Sequence, residues 1–304
     1  MYQDLYKEAL RIRLVEEKII ELYPSDKIQS PVHMSIGQEA VAVGCCAALE
    51  KDDLVFATYR SHAFYLAKGG DMPKMFAELY GRIGGGCKGK AGSMHLAAPE
   101  AGFMGASAVV ASSIPHAAGA ALAAKRRDTG QVIMSVFGDG ATEEGVCHET
   151  LNFTALHSLP VVFICEDNGL AVHSHIKDRQ AYKLEELAAN YGIETVVIEN
   201  GMDFVGVYET VKKHVDDVRE NAKPVFIVIK TYRYKEHVGP GDDFNAGYRD
   251  VCDYEKWSAL DPLVTDKETY IALKPEVDEE VDAAVQFAEN SPWPGRDELL
   301  TDVW

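Results

Sequence analysis

QVIMSVFGDGATEEGVCHETLNFTALHSLPVVFICEDNGLAVHS, residues 131–174, decides how this chain is read. QVIMSVFGD is an apolar run that stops at a glycine-flanked aspartate, TEEGVCHETLNFTALHS has helical character, and PVVFICED is a second apolar run ending at Asp167-Asn168. Short, nearly continuous apolar runs belong to strands covered on both faces, and a helix between two of them returns the second parallel to the first. Asp139 and Asn168 are 29 positions apart (168 − 139). That spacing fits a crossover that places both side-chain oxygens in one crevice at the carboxyl ends of adjacent strands.

The alternation continues outward. SSIPHAAGAALAAKRR is a small-residue helix with a basic last turn; LEELAANYG is a helix, ETVVIE a strand, 204–221 a helix and PVFIVIKTYRY a strand. The fold class is α/β, a doubly wound parallel sheet with helices on both faces and a helical C-terminal tail. Upstream, Leu5, Ala9, Ile12, Val15, Ile19 and Leu22 mark an amphipathic helix that Pro24 stops. SDKIQSPVHMSIG reads as a loop, GQEAVAVGCCAALE as a buried helix, and LVFATYR as a strand running into Tyr59, Arg60, Ser61 and His62. A Gly-rich segment, GRIGGGCKGKAGSMH, spans 81–95, and a polar loop at 235–250 is too long for a simple connection. One or two amphipathic helices are expected after it. Residues 1–304 are read as one domain, with a core of about 30–250 and a tail of about 251–304.

The net charge of −18 disfavours nucleic acid or an anionic membrane as partner. No apolar run approaches the ~18 residues of a membrane span, and the charged N-terminus lacks the apolar centre of a secretory signal. Residence in the cytoplasm or an organelle matrix is expected. The six cysteines form no C-x-x-C pair, so neither a disulfide framework nor a zinc site is indicated.

A hard cation such as Mg²⁺ takes few protein oxygens and shares phosphate oxygens with its ligand. Asp139, Asn168 and the carbonyl of nearby Leu170 supply such a set, and the glycines flanking Asp139 let backbone approach a diphosphate. Taken singly, a GDG is a tight turn and an Asp-Asn pair a loop cap; the combination at this spacing points to a site. No G-x-G-x-x-G follows a strand where a nicotinamide fold needs it.

With GDG and an Asn about thirty residues later, GRIGGGCKGKAGSMH, FMGASAVVASSIPHAAGAALAAK, TYRSH (58–62) and TYRYKEHVG (231–239), the chain resembles α subunits of thiamine diphosphate-dependent 2-oxo acid dehydrogenases along nearly its whole length. The resemblance implies Mg²⁺ on Asp139, Asn168 and the Leu170 carbonyl, and diphosphate on Arg60 and the backbone of Gly140 and Ala141. It implies Tyr59 near the aminopyrimidine, backbone contacts to that ring from Ala108 and Val110, and two catalytic histidines. These are His237 on a mobile loop and His62 at the same entrance. Alone, His62 reads as a strand-end hydrogen-bonding residue, Tyr59 as core, and His237 as a surface-loop histidine. His95, His116, His148, His173 and His175 have no assigned role.

The glutamate that activates the pyrimidine at N1′ comes, in two-chain members, from a β subunit; Glu39 falls in a structural helix here. The resemblance therefore implies an α2β2 assembly, no turnover by this chain alone, a small pyruvate-like 2-oxo acid as substrate, and a lipoyl acyltransferase as acceptor. The alternative is a two-chain acyloin synthase or transketolase-like C2 transferase without a lipoyl partner. Lys235 and Val238 depart from the family loop, valine excluding phosphorylation there, and Ala108 stands where glycine is usual.

Overall fold

A computed structural model describes residues 1–28 and 30–302. Six strands, β1 (Leu54–Thr58), β2 (Phe103–Ser107), β3 (Ile133–Gly138), β4 (Val161–Asp167), β7 (Glu194–Ile198) and β8 (Val225–Lys230), form one sheet in the order β2-β1-β3-β4-β8-β7. Every pairing in it is parallel. A two-residue antiparallel ribbon, β5 (Leu170–Ala171) with β6 (Ser174–His175), stands beyond the end of β4.

Alternation along the strands distributes the apolar runs between two cores. Met134, Val136, Val162, Ile164, Ile227 and Ile229 pack on one face, with α1 (Tyr2–Leu22), α2 (Glu39–Ala47) and α8 (Phe204–Asn221). Ile133, Phe137, Phe163, Cys165, Phe226 and Val228 pack on the other, with α5 (Ser113–Arg127) and α6 (Gly145–Leu156). Both faces being covered explains why these strands read as apolar runs rather than as alternating ones.

Several boundaries differ from the sequence reading. The turn after β3 is a short 3₁₀ stretch, Asp139–Glu143, and α6 starts only at Gly145. LEELAANYG is one helical turn, α7 (Leu184–Leu187), followed by 3₁₀ structure at Ala188–Tyr191. FMGAS, given no element in the sequence reading, is the edge strand β2, irregular in register against Val55/Phe56. Remaining helices are α3 (His62–Ala67) and α4 (Met72–Leu79), then α9 (Val251–Ser258), α10 (Pro262–Thr265) and α11 (Lys267–Asn290). α11 continues through Pro275 and packs on α1 and α4. Among the described residues, no helix is long and apolar enough to cross a membrane.

From β1 the chain passes outward to β2 and then back across to β3 on the other side of β1. Such a reversal opens a crevice at the carboxyl ends of the strands.

Candidate functional site

That crevice is a cavity of about 270 Å³. Tyr59 and Arg60 reach it from the end of β1, Val110 from the loop after β2, and Asp139, Gly140 and Ala141 from the end of β3. Asn168 and Leu170 enter after β4, and His237 from the long loop after β8. Nine of the eleven expected site residues therefore share one lining. Ala108 is not part of it, although its neighbours Ser107 and Val109 are.

His62 also lies outside this lining. Its ring is fully buried at the start of α3, with Nδ1 3.0 Å from Glu16 Oε1 and Nε2 2.7 Å from Ser93 Oγ. Glu16 Oε1 also accepts the Ser35 N–H at 2.8 Å. The Ser93–His62–Glu16 chain joins the Gly-rich segment to α1, and none of its three residues lines the cavity.

Asp139 is 1% exposed. Burial raises its carboxyl to about 6, against the pull of Arg179, whose Nη2 lies 2.5 Å from Oδ2. Asn168 Oδ1 accepts the Leu170 N–H at 3.1 Å, closing the turn that carries both residues. At Gly140 a Cβ would lie 2.8 Å from the Ala171 Cβ, so only glycine lets these two backbones approach so closely. One carboxylate, one amide oxygen and one carbonyl along the same wall are hard oxygen donors suited to Mg²⁺. Among the described residues no cluster of three or more His, Cys, Asp or Glu side chains could hold a metal.

Arg60 faces this wall. Burial lowers its guanidinium to about 10; Nη1 donates to the Met34 carbonyl at 2.6 Å and Nη2 to the His237 carbonyl at 3.2 Å. Tyr59, His33 and His237 form an aromatic group, with ring centroids 4.5 Å apart for His33–Tyr59 and 5.7 Å for Tyr59–His237. Burial, reinforced by Arg60, lowers His33 to about 3 and His237 to about 4, so both are neutral imidazoles at pH 7.

The loop bearing His237 is well tied down. Arg233 Nη1 pairs with Asp243 at 3.0 Å, Arg249 pairs with the same carboxylate, and Arg249 Nη1 donates to the Arg233 carbonyl at 2.6 Å. Arg233 thus pairs within the loop, while also lining the cavity.

Glu39 does not enter the cavity: it pairs with buried Arg13 and accepts the Gly37 N–H at 2.8 Å, as a structural residue does. Sequence reasoning passed over Gln38 and Glu166, which line the cavity and meet at 2.9 Å, burial raising Glu166 to about 7. It also passed over His33 and Arg179. Strand alternation could have flagged Glu166, since Asp167 beside it leaves β4 on the other side to pair with Lys230 at 2.6 Å.

A doubly wound sheet whose strand ends gather oxygen donors and a buried arginine around one cavity is the frame of a cofactor-dependent α/β enzyme subunit. The model of the dehydrogenase E1 component family matches residues 7–296, and the chain belongs to that family, as an alpha subunit of the thiamine diphosphate-dependent 2-oxo acid dehydrogenases. It is 36% identical over 308 residues to the alpha subunit of an acetoin:2,6-dichlorophenolindophenol oxidoreductase of Bacillus subtilis, covering 99% of this chain and 92% of that one. It is 36% identical over 318 residues to a pyruvate dehydrogenase E1 alpha subunit of Rickettsia conorii, covering 100% and 95%. A chloroplastic pyruvate dehydrogenase E1 alpha-3 subunit of Arabidopsis thaliana is 33% identical over 319 residues, covering 99% and 74%.

Proposed function

We propose that this chain, assembled with a β subunit as α2β2, decarboxylates a small pyruvate-like 2-oxo acid and passes the acyl group to a lipoyl group on a separate acyltransferase. The observation that carries the reading is the convergence of Asp139, Asn168, Leu170 and Arg60 on one cavity at the switch point of the sheet.

Asp139, Asn168 and the Leu170 carbonyl hold Mg²⁺ in this reading. Arg60 takes diphosphate oxygen, with Gly140 and Ala141 meeting the same group through backbone N–H. Tyr59 lies by the aminopyrimidine, and the backbone at Ala108 and Val110 borders that ring. Bound thiamine diphosphate supplies the nucleophilic carbon and the electron sink for loss of CO₂. His237, neutral at pH 7 and held by Arg60, can accept a proton beside the reacting carbon and return it.

A second chain is supported by the cavity's open side. Val109, Val110 and Val172 line the cavity at 68%, 47% and 46% exposure, and Val238, at 44%, lines an adjoining depression shared with Val172 and His237; association would cover these solvent-facing apolar side chains. The glutamate for N1′ comes from that chain. Pyruvate- and acetoin-named relatives both stand at 36% identity; acetoin has no carboxyl group to lose, so CO₂ release from pyruvate separates the two substrates.

Calorimetric titration of thiamine diphosphate, with magnesium and again with chelator, tests the site. Binding is expected only with magnesium and is lost in Asp139→Ala while the fold persists. Undiminished binding by that variant removes Asp139 from the metal.

A further inference from the structure

Among the described residues, the Asp139 carboxylate has a single side-chain partner, Arg179. The same guanidinium pairs with Glu143 through Nη1 and donates from Nε to the Ser174 carbonyl at 3.1 Å. Its neighbour Gln180 donates to the Asp139 carbonyl at 3.1 Å, to Thr142 Oγ1 at 3.2 Å and to Glu143 Oε1 at 2.9 Å. Two consecutive side chains thus bind the whole Asp139–Glu143 turn. The Arg179 side chain is only 12% exposed, so its charge acts on this turn with little screening by water. Nη1 also comes within 3.7 Å of a Cβ built on Gly140, which places positive charge beside the backbone read as facing the diphosphate.

One cation with this placement acts oppositely on the two ligands. It neutralises Asp139 and Glu143 and repels a divalent ion arriving alone. The same charge attracts a phosphate oxygen at Gly140, and once that anion is bound its charge offsets the repulsion.

We propose that Arg179 is a positioning residue that couples the two ligands: it holds Oδ2 of Asp139 and makes the divalent cation and the diphosphate bind as a pair rather than singly. The proposal rests on the reading of Asp139 as the cation's ligand. Coupling between two sites is reciprocal, so either ligand reports it.

The test counts free Mn²⁺ by electron paramagnetic resonance over the full chain, purified with any subunit that accompanies it. Titrations are run with and without thiamine diphosphate for the wild type, R179Q and R179K. In the wild type, thiamine diphosphate is expected to tighten Mn²⁺ binding by about tenfold or more. R179Q should bind Mn²⁺ alone about tenfold more tightly than the wild type, with the coupling falling towards unity; R179K, which keeps the charge, should retain most of it. Lone Mn²⁺ binding in R179Q equal to the wild type, or coupling unchanged in R179Q, overturns the proposal. A wild type that binds no Mn²⁺ even with thiamine diphosphate overturns instead the site reading beneath it. Melting curves confirm that each variant is folded, and R179K carries the test if R179Q is not: coupling lost there despite the retained charge counts against the proposal.

Discussion

Gly140→Ala is the smallest change that should disable the site by geometry alone. The added methyl carbon would stand 2.8 Å from the Ala171 Cβ and 3.8 Å from its Cα. Non-bonded carbons rest at about 3.5–4.0 Å, so the pair must separate by about 1 Å. Neither carbon is the end of a flexible side chain; the movement has to come from the backbone of the Asp139–Glu143 turn or of the β5–β6 ribbon. Overpacking of this kind costs about 1–3 kcal/mol, which lowers Tm by several degrees, at about 2–4 °C per kcal/mol for a chain of this size class. Leu170 lies next to Ala171 in the ribbon, so its carbonyl shifts with it. Misplacement by about 1 Å is costly at a preorganised site, and a loss of about 10- to 100-fold in thiamine diphosphate affinity follows. Gly138→Ala is the control. Its Cβ meets only the Glu166 carbonyl oxygen, at 3.9 Å, and its φ of −85° and ψ of 166° suit alanine. That variant should melt at or slightly above the wild-type temperature, since the lost backbone freedom of the unfolded chain is worth about 0.4–1 kcal/mol. Calorimetric melting and titration with magnesium read both quantities. Gly140→Ala melting and binding like the wild type would show that the turn absorbs the added methyl without cost, and equal destabilisation of the two variants would show that the Ala171 contact is not the cause.

The remaining predictions concern the histidines. His62→Gln should lower unfolding free energy in urea by about 1–3 kcal/mol, because Glu16 and Ser93 lose buried partners, while cofactor affinity stays at the wild-type value; the reverse pattern would return His62 to the site. In a ¹⁵N-imidazole NMR titration, His237 should change protonation near 4 and His33 near 3, both below the ordinary 6.5. The sign for stability follows: unfolded chains take up these protons near 6.5 and the folded chain does not. The two residues therefore support the fold above that pH, and acidification towards 4 withdraws their contribution. A His237 midpoint at or above 6.5 would contradict the burial and the Arg60 contact that set its value.

How far the sequence could be read follows from how local each signal is. Asp139 and Asn168 were legible because the strand, helix and strand lengths between them determine where they end up, and β3 pairs with β4 in parallel from Ile133–Val161 to Gly138–Glu166. Tyr59 and Arg60 were legible for the same reason, at the end of β1. FMGAS was not legible as a strand: its glycine and small residues carry no β signature, and pairing with β1 is what orders it. The partner of His62 was not legible: α3 begins there and turns the ring towards Glu16, 46 positions earlier, a contact with no trace in the local pattern. Arg179 and His33 were hidden by distance as well. Arg179 meets Asp139 40 positions away, and His33 enters the site through a bridge to Gly239.

In the proposed function this chain holds thiamine diphosphate for 2-oxo acid decarboxylation and is completed by a second chain. The direct measurement is release of labelled CO₂ from carboxyl-labelled pyruvate by the purified chain alone and by its native assembly, each with thiamine diphosphate and magnesium. Release by the assembly, its loss on chelation of magnesium, and essentially none from the isolated chain are expected. Equal release by the isolated chain, or release untouched by chelator, would contradict the proposed function.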